Sequence, residues 1–240
     1  MSKNKEVSKV EEVKTDLVAY DASEWGDVVV ESKDLILPKI LLQQALSEAV
    51  KSRVARDGDY VNTLTNSVCS DEKGNVSVLP FFCRQTYTIE KWNGKKFEFL
   101  KIVPCVVGEE PKPFEEDING ERFKNSHNYE FFCMLEEGGT PAILSFKSTS
   151  HKTGKQLFNI MYLQNPQQKK TPAHNWITIG RSEKTNDMGT FWVMDFSIGR
   201  ESKPEELTEC KTWIATIKQS AFKVAEEKPS IQQPVTETRF

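Results

Sequence analysis

Between Gly138 and Ser182 the chain has no Asp and no Glu, although 35 of its 240 residues are acidic. It also lacks any run of the roughly 18–20 consecutive apolar residues that a membrane-spanning helix needs. The opening stretch MSKNKEVSKVEEVKTD has charges but no apolar block, so no secretory leader is read there. There is no Cys-x-x-Cys and no His-x-x-His. Five cysteines (Cys69, Cys83, Cys105, Cys133, Cys210) make an odd set, which fits reduced thiols in the cytoplasm. A strong net charge is missing too: the balance is −3 at pH 7, which excludes a generic polyanion binder by bulk charge alone.

The distribution of charge is more informative than its sum. The acid-free window holds Lys147, Lys152, Lys155, Lys169, Lys170 and Arg181, with His151 and His174. Just before it, residues 109–137 carry nine acids against three bases. A cationic segment beside an anionic one, in a weakly acidic protein, points to a binding surface. Phe146, Phe158, Tyr162 and Trp176 interleave with the lysines, and Phe191 and Trp192 follow. Aromatic platforms for bases, with lysines tracking phosphates, are what a surface for single strands requires.

The expected fold is mainly β: an OB-like closed or partly open barrel with elaborated hairpins and one C-terminal amphipathic helix. Aromatic and β-branched runs mark strands at 76–82, 87–92, 97–107, 129–135, 142–146, 156–163, 176–179 and 190–198. Leu35–Val50 reads as a strand and then a short helical turn. Asn93-Gly94 is the expected type I′ hairpin turn, because both residues tolerate positive φ. On 156–163, period two puts Leu157, Asn159, Met161 and Leu163 on one side and Phe158, Ile160 and Tyr162 on the other, so both faces are apolar. On 190–198, Asp195 marks the wetter face and makes Phe191 the better candidate for exposure than Trp192. The phenylalanines at 81–82, 97, 99 and 131–132 are expected in the core.

Four segments follow. Residues 1–33 form an arm, 34–200 the OB-like binding domain, 201–225 a helix packed on the barrel, and 226–240 a tail. Pro204-Glu205-Glu206 starts the helix, and Leu207, Cys210, Trp213, Ile214, Ile217, Ala221 and Val224 recur at helical spacing.

No constellation carries chemistry. Cys83, Cys105 and Cys133 lie in apolar runs and read as small core residues rather than zinc ligands. The stretch Ser148–Lys155 (STSHKTGK) lacks the first glycine of a phosphate loop. Glu98 and Asp195 are isolated acids, too few for a metal-dependent nuclease. No enzyme, cofactor or metal is expected.

Several short stretches carry a resemblance: Leu37-Pro38-Lys39-Ile40-Leu41-Leu42-Gln43, Gly58-Asp59-Tyr60-Val61-Asn62, Phe146-Lys147-Ser148 and Gly189-Thr190-Phe191-Trp192. Over residues 35–200 the chain resembles bacteriophage single-stranded-DNA-binding proteins of the replication and recombination module. The resemblance implies an OB barrel with a groove for the strand. Single-stranded DNA is then the expected partner, held by Lys147, Lys152, Lys155, Lys169, Lys170 and Arg181, with bases on Phe158, Tyr162, Trp176 and Phe191. Phage replication or recombination proteins are the further partners implied. One departure is the tail, where Glu226, Glu227 and Glu237 are balanced by Lys223, Lys228 and Arg239 instead of forming an acidic recruiting end. The arm can serve a homo-oligomer contact instead. The alternative is a protein–protein module, a phage structural component or host-defence inhibitor, that works through the acidic stretch 109–137.

Overall fold

A computed structural model describes residues 36–106, 108–187 and 189–219. The arm, the tail and residues 220–225 of the expected helix therefore lie outside the described residues. Ten strands form one mixed sheet in the order β10-β9-β4-β7-β8-β1-β2-β3, with β5 on β4 and β6 on β7 as branches. They are β1 (Lys39–Leu42), β2 (Tyr60–Asn62), β3 (Ser67–Val68), β4 (Val76–Trp92), β5 (Phe97–Pro104), β6 (Glu115–Ile118), β7 (Glu121–Leu135), β8 (Pro141–Phe146), β9 (Asn175–Asn186) and β10 (Gly189–Glu201). Only β1 and β8 pair in parallel. The helices are α1 (Glu48–Lys51), α2 (His151–Asn159), α3 (Asn165–Gln167) and α4 (Pro204–Gln219).

The mainly β architecture with a C-terminal helix is present, and the sheet is not closed by strand pairing. Side chains bridge part of the gap. Tyr60 on β2 donates its hydroxyl to the Gly180 carbonyl on β9 at 2.7 Å. Gln44, just past β1, clamps the Trp192 backbone of β10 in both directions, at 2.8 and 2.9 Å. Arg181 pairs with Asp59 at 3.3 Å and lies over the Trp192 ring at 4.9 Å. This seam draws the β1–β2 side toward the β9–β10 side.

Two cores lie on opposite faces of the sheet. One gathers Ile40, Tyr60, Val78, Phe131, Leu144, Phe146 and Ile179 beneath Leu157 and Met161. The other gathers Leu79, Phe81, Phe132, Met134, Ile143 and Trp176 beneath α4, through Cys210 with Leu207, Trp213, Ile214 and Ile217. Strand β4 serves both by alternation, with Val76 and Val78 on one face and Leu79 and Phe81 on the other, and its register against β7 shifts between Pro80 and Phe82. One extra residue on a strand turns over the side chains beyond it, so Phe82 follows Phe81 into the second core instead of facing the first.

The expected strand at 156–163 is helical instead. A 3₁₀ turn (Ser148–Ser150), α2, a π turn (Ile160–Gln164) and α3 run on continuously. Residues 154, 157, 161 and 165 are buried, which is helical spacing. What period two divides into two apolar faces is one face at period 3.6. Gly154 makes the close approach possible: a Cβ there would come 2.5 Å from Cβ of Phe146.

One turn expectation changes as well. Strand β5 does follow β4, but Trp92 pairs with Phe97 across a four-residue loop in which Lys95 and Lys96 donate backbone N–H to the Asn93 side chain, both at 2.9 Å. The two-residue loop with both φ values positive is Asn119-Gly120, between Ile118 and Glu121. The acidic stretch before it, Glu115–Ile118, is β6.

Candidate nucleic-acid interface

The helical segment 148–167 sits on the first core, and its outer face carries what the sequence placed there. Lys152, Lys155, Gln156, Asn159, Gln164 and Gln167 are exposed. Lys147 precedes the segment and Lys169 follows it, also exposed, while Lys170 is half-buried. Lys169 adopts positive φ and Lys170 returns its N–H to the Asn165 carbonyl at 2.8 Å, which ends the helix. Buried Asn165 donates to the Thr171 carbonyl at 3.2 Å and fastens this end to the entry of β9.

Pairing separates four of these lysines from several cations elsewhere on the sheet. Lys91, Lys96, Arg122, Lys124, Arg84, Arg181 and Arg200 each hold a carboxylate within 4.0 Å. Among the described residues Lys152, Lys155, Lys169 and Lys170 hold none. Their charge is left to solvent.

The aromatics behave differently from the expectation. Trp176 is 4% exposed, donates its indole N–H to Glu206 at 3.0 Å, and lies under Arg200. That position, in the core beneath α4, removes it as a stacking platform. The same ties hold the Glu206 carboxyl down at about 2, chiefly through Arg200. Tyr162 is half-buried and its hydroxyl accepts the Cys83 N–H at 2.8 Å. Phe158 is wedged between Tyr129 and Tyr162, with ring centroids 5.5 and 4.9 Å away. Phe191 and Trp192 are both half-buried. Arg181 is a seam residue, tied to Asp59, and is not free to track phosphates.

A cluster that the sequence did not bring together lies at the start of α2. His127 Nδ1 and His151 Nε2 are 2.7 Å apart, and the other His127 nitrogen faces Gln85 Oε1 at 3.1 Å. Tyr87 and Tyr129 pack on His127. Burial, then His151, then Lys155 hold the His127 pKa below its ordinary value; burial and Lys155 do the same to His151. A fixed sequence spacing between a strand and a helix carries no signal for such a meeting.

The second surface missed by sequence reasoning is a four-stranded ribbon, β5-β4-β7-β6. Phe97 and Phe99 lie on it and not in a core: Phe99 is 52% exposed, with Leu100, Ile102, Phe114 and Ile118 between 43% and 61%. Arg122 stands over Trp92 and Phe97, and Lys124 over Phe97 and Phe114.

Burial pushes the Cys69 thiol up to about 11 and those of Cys133 and Cys210 to about 12, so none is ready as a thiolate. Among the described residues no three His, Cys, Asp or Glu side chains come together as a metal site. No helix there is long and apolar enough to cross a membrane.

Fold and surface thus define a mainly β protein with an open ten-stranded sheet and a lysine-bearing helical face. The chain belongs to the Pam3 phage gp34-like protein family, whose model matches residues 8–223, and this makes it a phage protein. No curated protein and no solved structure matches it.

Proposed function

We propose that the protein is a non-enzymatic, sequence-independent single-stranded-DNA-binding protein of phage DNA replication or recombination, and that the outer face of the 148–167 helical segment is where the strand lies. One observation carries the reading: Lys152, Lys155, Lys169 and Lys170 cluster on one acid-free segment and, among the described residues, hold no carboxylate. An unpaired cation releases no internal partner when a phosphate arrives, so its full Coulomb term goes to the ligand. The contacts proposed on this reading are Lys152, Lys155, Lys169 and Lys170, with exposed Lys147 beside them. Phe158 and Tyr162 contribute ring edges at most, which moves the weight from stacking to phosphate neutralisation.

An electrophoretic shift with a labelled oligo-dT and its duplex tests this. The strand should be retarded at low salt. Lys152→Glu with Lys155→Glu should abolish the shift while leaving the circular dichroism unchanged. An unshifted strand sinks the proposal, and equal retardation of the duplex removes its single-strand part.

A second reading, a protein–protein module, is favoured by the ribbon. Its exposed apolar residues adjoin the exposed acids Glu109, Glu110, Glu115 and Asp117, and contiguous apolar surface of this kind marks interaction sites. Pull-down from host lysate after nuclease digestion separates the two readings.

A further inference from the structure

The ribbon ends in two strands that have used only half of their backbone groups. Among the described residues β5 pairs only with β4, and β6 only with β7. An edge of this kind is a template for a further strand.

The two edges carry opposite charge. β6 reads Glu115-Glu116-Asp117-Ile118, with no base. The β5 edge and the loop leading into it carry Lys95, Lys96 and Lys101 against Glu98. Lys96 is engaged by Glu98 at 3.7 Å, whereas among the described residues Lys95 and Lys101 hold no carboxylate. Each edge also has exposed apolar side chains beside the charge. Phe99, Leu100 and Ile102 are 52%, 48% and 43% exposed on β5; Phe114 and Ile118 are 61% and 48% exposed at β6.

We infer that the β6 edge of one copy docks on the β5 edge of a second copy of this chain. Charge complementarity names the occupant, since the acidic edge finds its basic, equally apolar counterpart on the same molecule. Strand direction agrees. The pairs β5–β4, β4–β7 and β7–β6 are all antiparallel, so direction alternates across the ribbon. A second copy set down in the same orientation then brings its β5 antiparallel to β6, and the alternation continues. Because the joined edges differ, the contact is head-to-tail. Such a contact closes into a ring or runs on as a filament.

Two features limit the ladder. β6 has four residues, and the β5 register shifts around Leu100. Bulges and edge lysines are also the devices that keep edges apart. A merely protected edge would have no reason to expose Phe99, Leu100 and Ile102 together. The contact is therefore short, concentration-dependent and driven as much by side chains as by backbone. It goes beyond the DNA-binding reading and uses none of its lysines.

Light scattering behind size exclusion, over a protein concentration series, reads the assembly in full-length protein. Wild type should grow beyond a dimer as concentration rises. Lys95→Glu with Lys101→Glu makes both edges acidic, and Glu115→Lys with Asp117→Lys makes both basic. Each variant alone should need about tenfold more protein to assemble, because like charges then face each other. An equimolar mixture should assemble like wild type, since every contact again joins opposite charges. Wild type that stays monomeric at its solubility limit overturns the inference. So does a variant that assembles alone as wild type does, or a mixture of two folded variants that remains monomeric.

Discussion

His127 and His151 share one hydrogen bond of 2.7 Å, which needs an acceptor nitrogen and so at least one neutral ring. Both pKa values are held below 6.5, first by burial and then by neighbouring positive charge. The unfolded chain therefore takes up protons near 6.5 while the folded chain resists them. Stability is undiminished above that pH and is lost as pH falls through 6.5 toward the lowered folded values. Thermal melts between pH 7.5 and pH 5.5 should show a falling Tm, and His151→Gln should flatten the slope. An unchanged slope would mean the pair is not the titrating element. Gly154 has the opposite kind of constraint, steric and independent of pH. Gly154→Ala drives a methyl into Phe146, and overpacking of this kind costs about 1–3 kcal/mol, measurable by urea unfolding. None of this was legible in the sequence, because both depend on which strand the helix meets. The exposure of Phe97 and Phe99 was hidden for the same reason: an aromatic on a strand reads as core unless the sheet's extent is known.

At the scale of elements, the long strands were legible, while β2, β3, β6 and one helical segment were not. Alternation and turn residues marked 76–82, 97–107, 129–135, 142–146, 176–179 and 190–198, and each lies wholly or largely within a strand. The periodicity at Leu207, Cys210, Trp213 and Ile214 marked α4, which packs by those residues. The segment 156–163 failed because Leu157, Phe158, Ile160, Met161 and Tyr162 leave hardly any polar gap from which a period can be read. Short apolar runs do not separate strand from helix by pattern alone. The Gly154 approach and the π turn add irregularity that no propensity anticipates. If the helical segment is docked as described, Leu157→Ala should cost about 2–5 kcal/mol, since Leu157 is fully buried in the first core. A cost below about 1 kcal/mol, as for a surface substitution, would mean the segment is not packed there.

For the whole molecule, the seam between the β1–β2 side and β9–β10 decides how far the open sheet behaves as a unit. Tyr60 is fully buried, and burial raises its hydroxyl pKa, so it remains a donor at every working pH. Tyr60→Phe leaves the Gly180 carbonyl without that donor and should cost about 1–3 kcal/mol by urea unfolding. The charge asymmetry read from the sequence survives folding as a face bearing Lys152, Lys155, Lys169 and Lys170, whereas Arg181 is tied to Asp59 and Trp176 is buried. Single-strand binding by phosphate neutralisation is the claim that remains, and its salt dependence tests it most directly. Fluorescence anisotropy with labelled oligo-dT should give a slope of log affinity against log salt of about −3, the value for some four neutralised phosphates. Lys152→Gln with Lys155→Gln should reduce that slope by about half. A slope near zero, or one that the double variant leaves unchanged, would contradict the account.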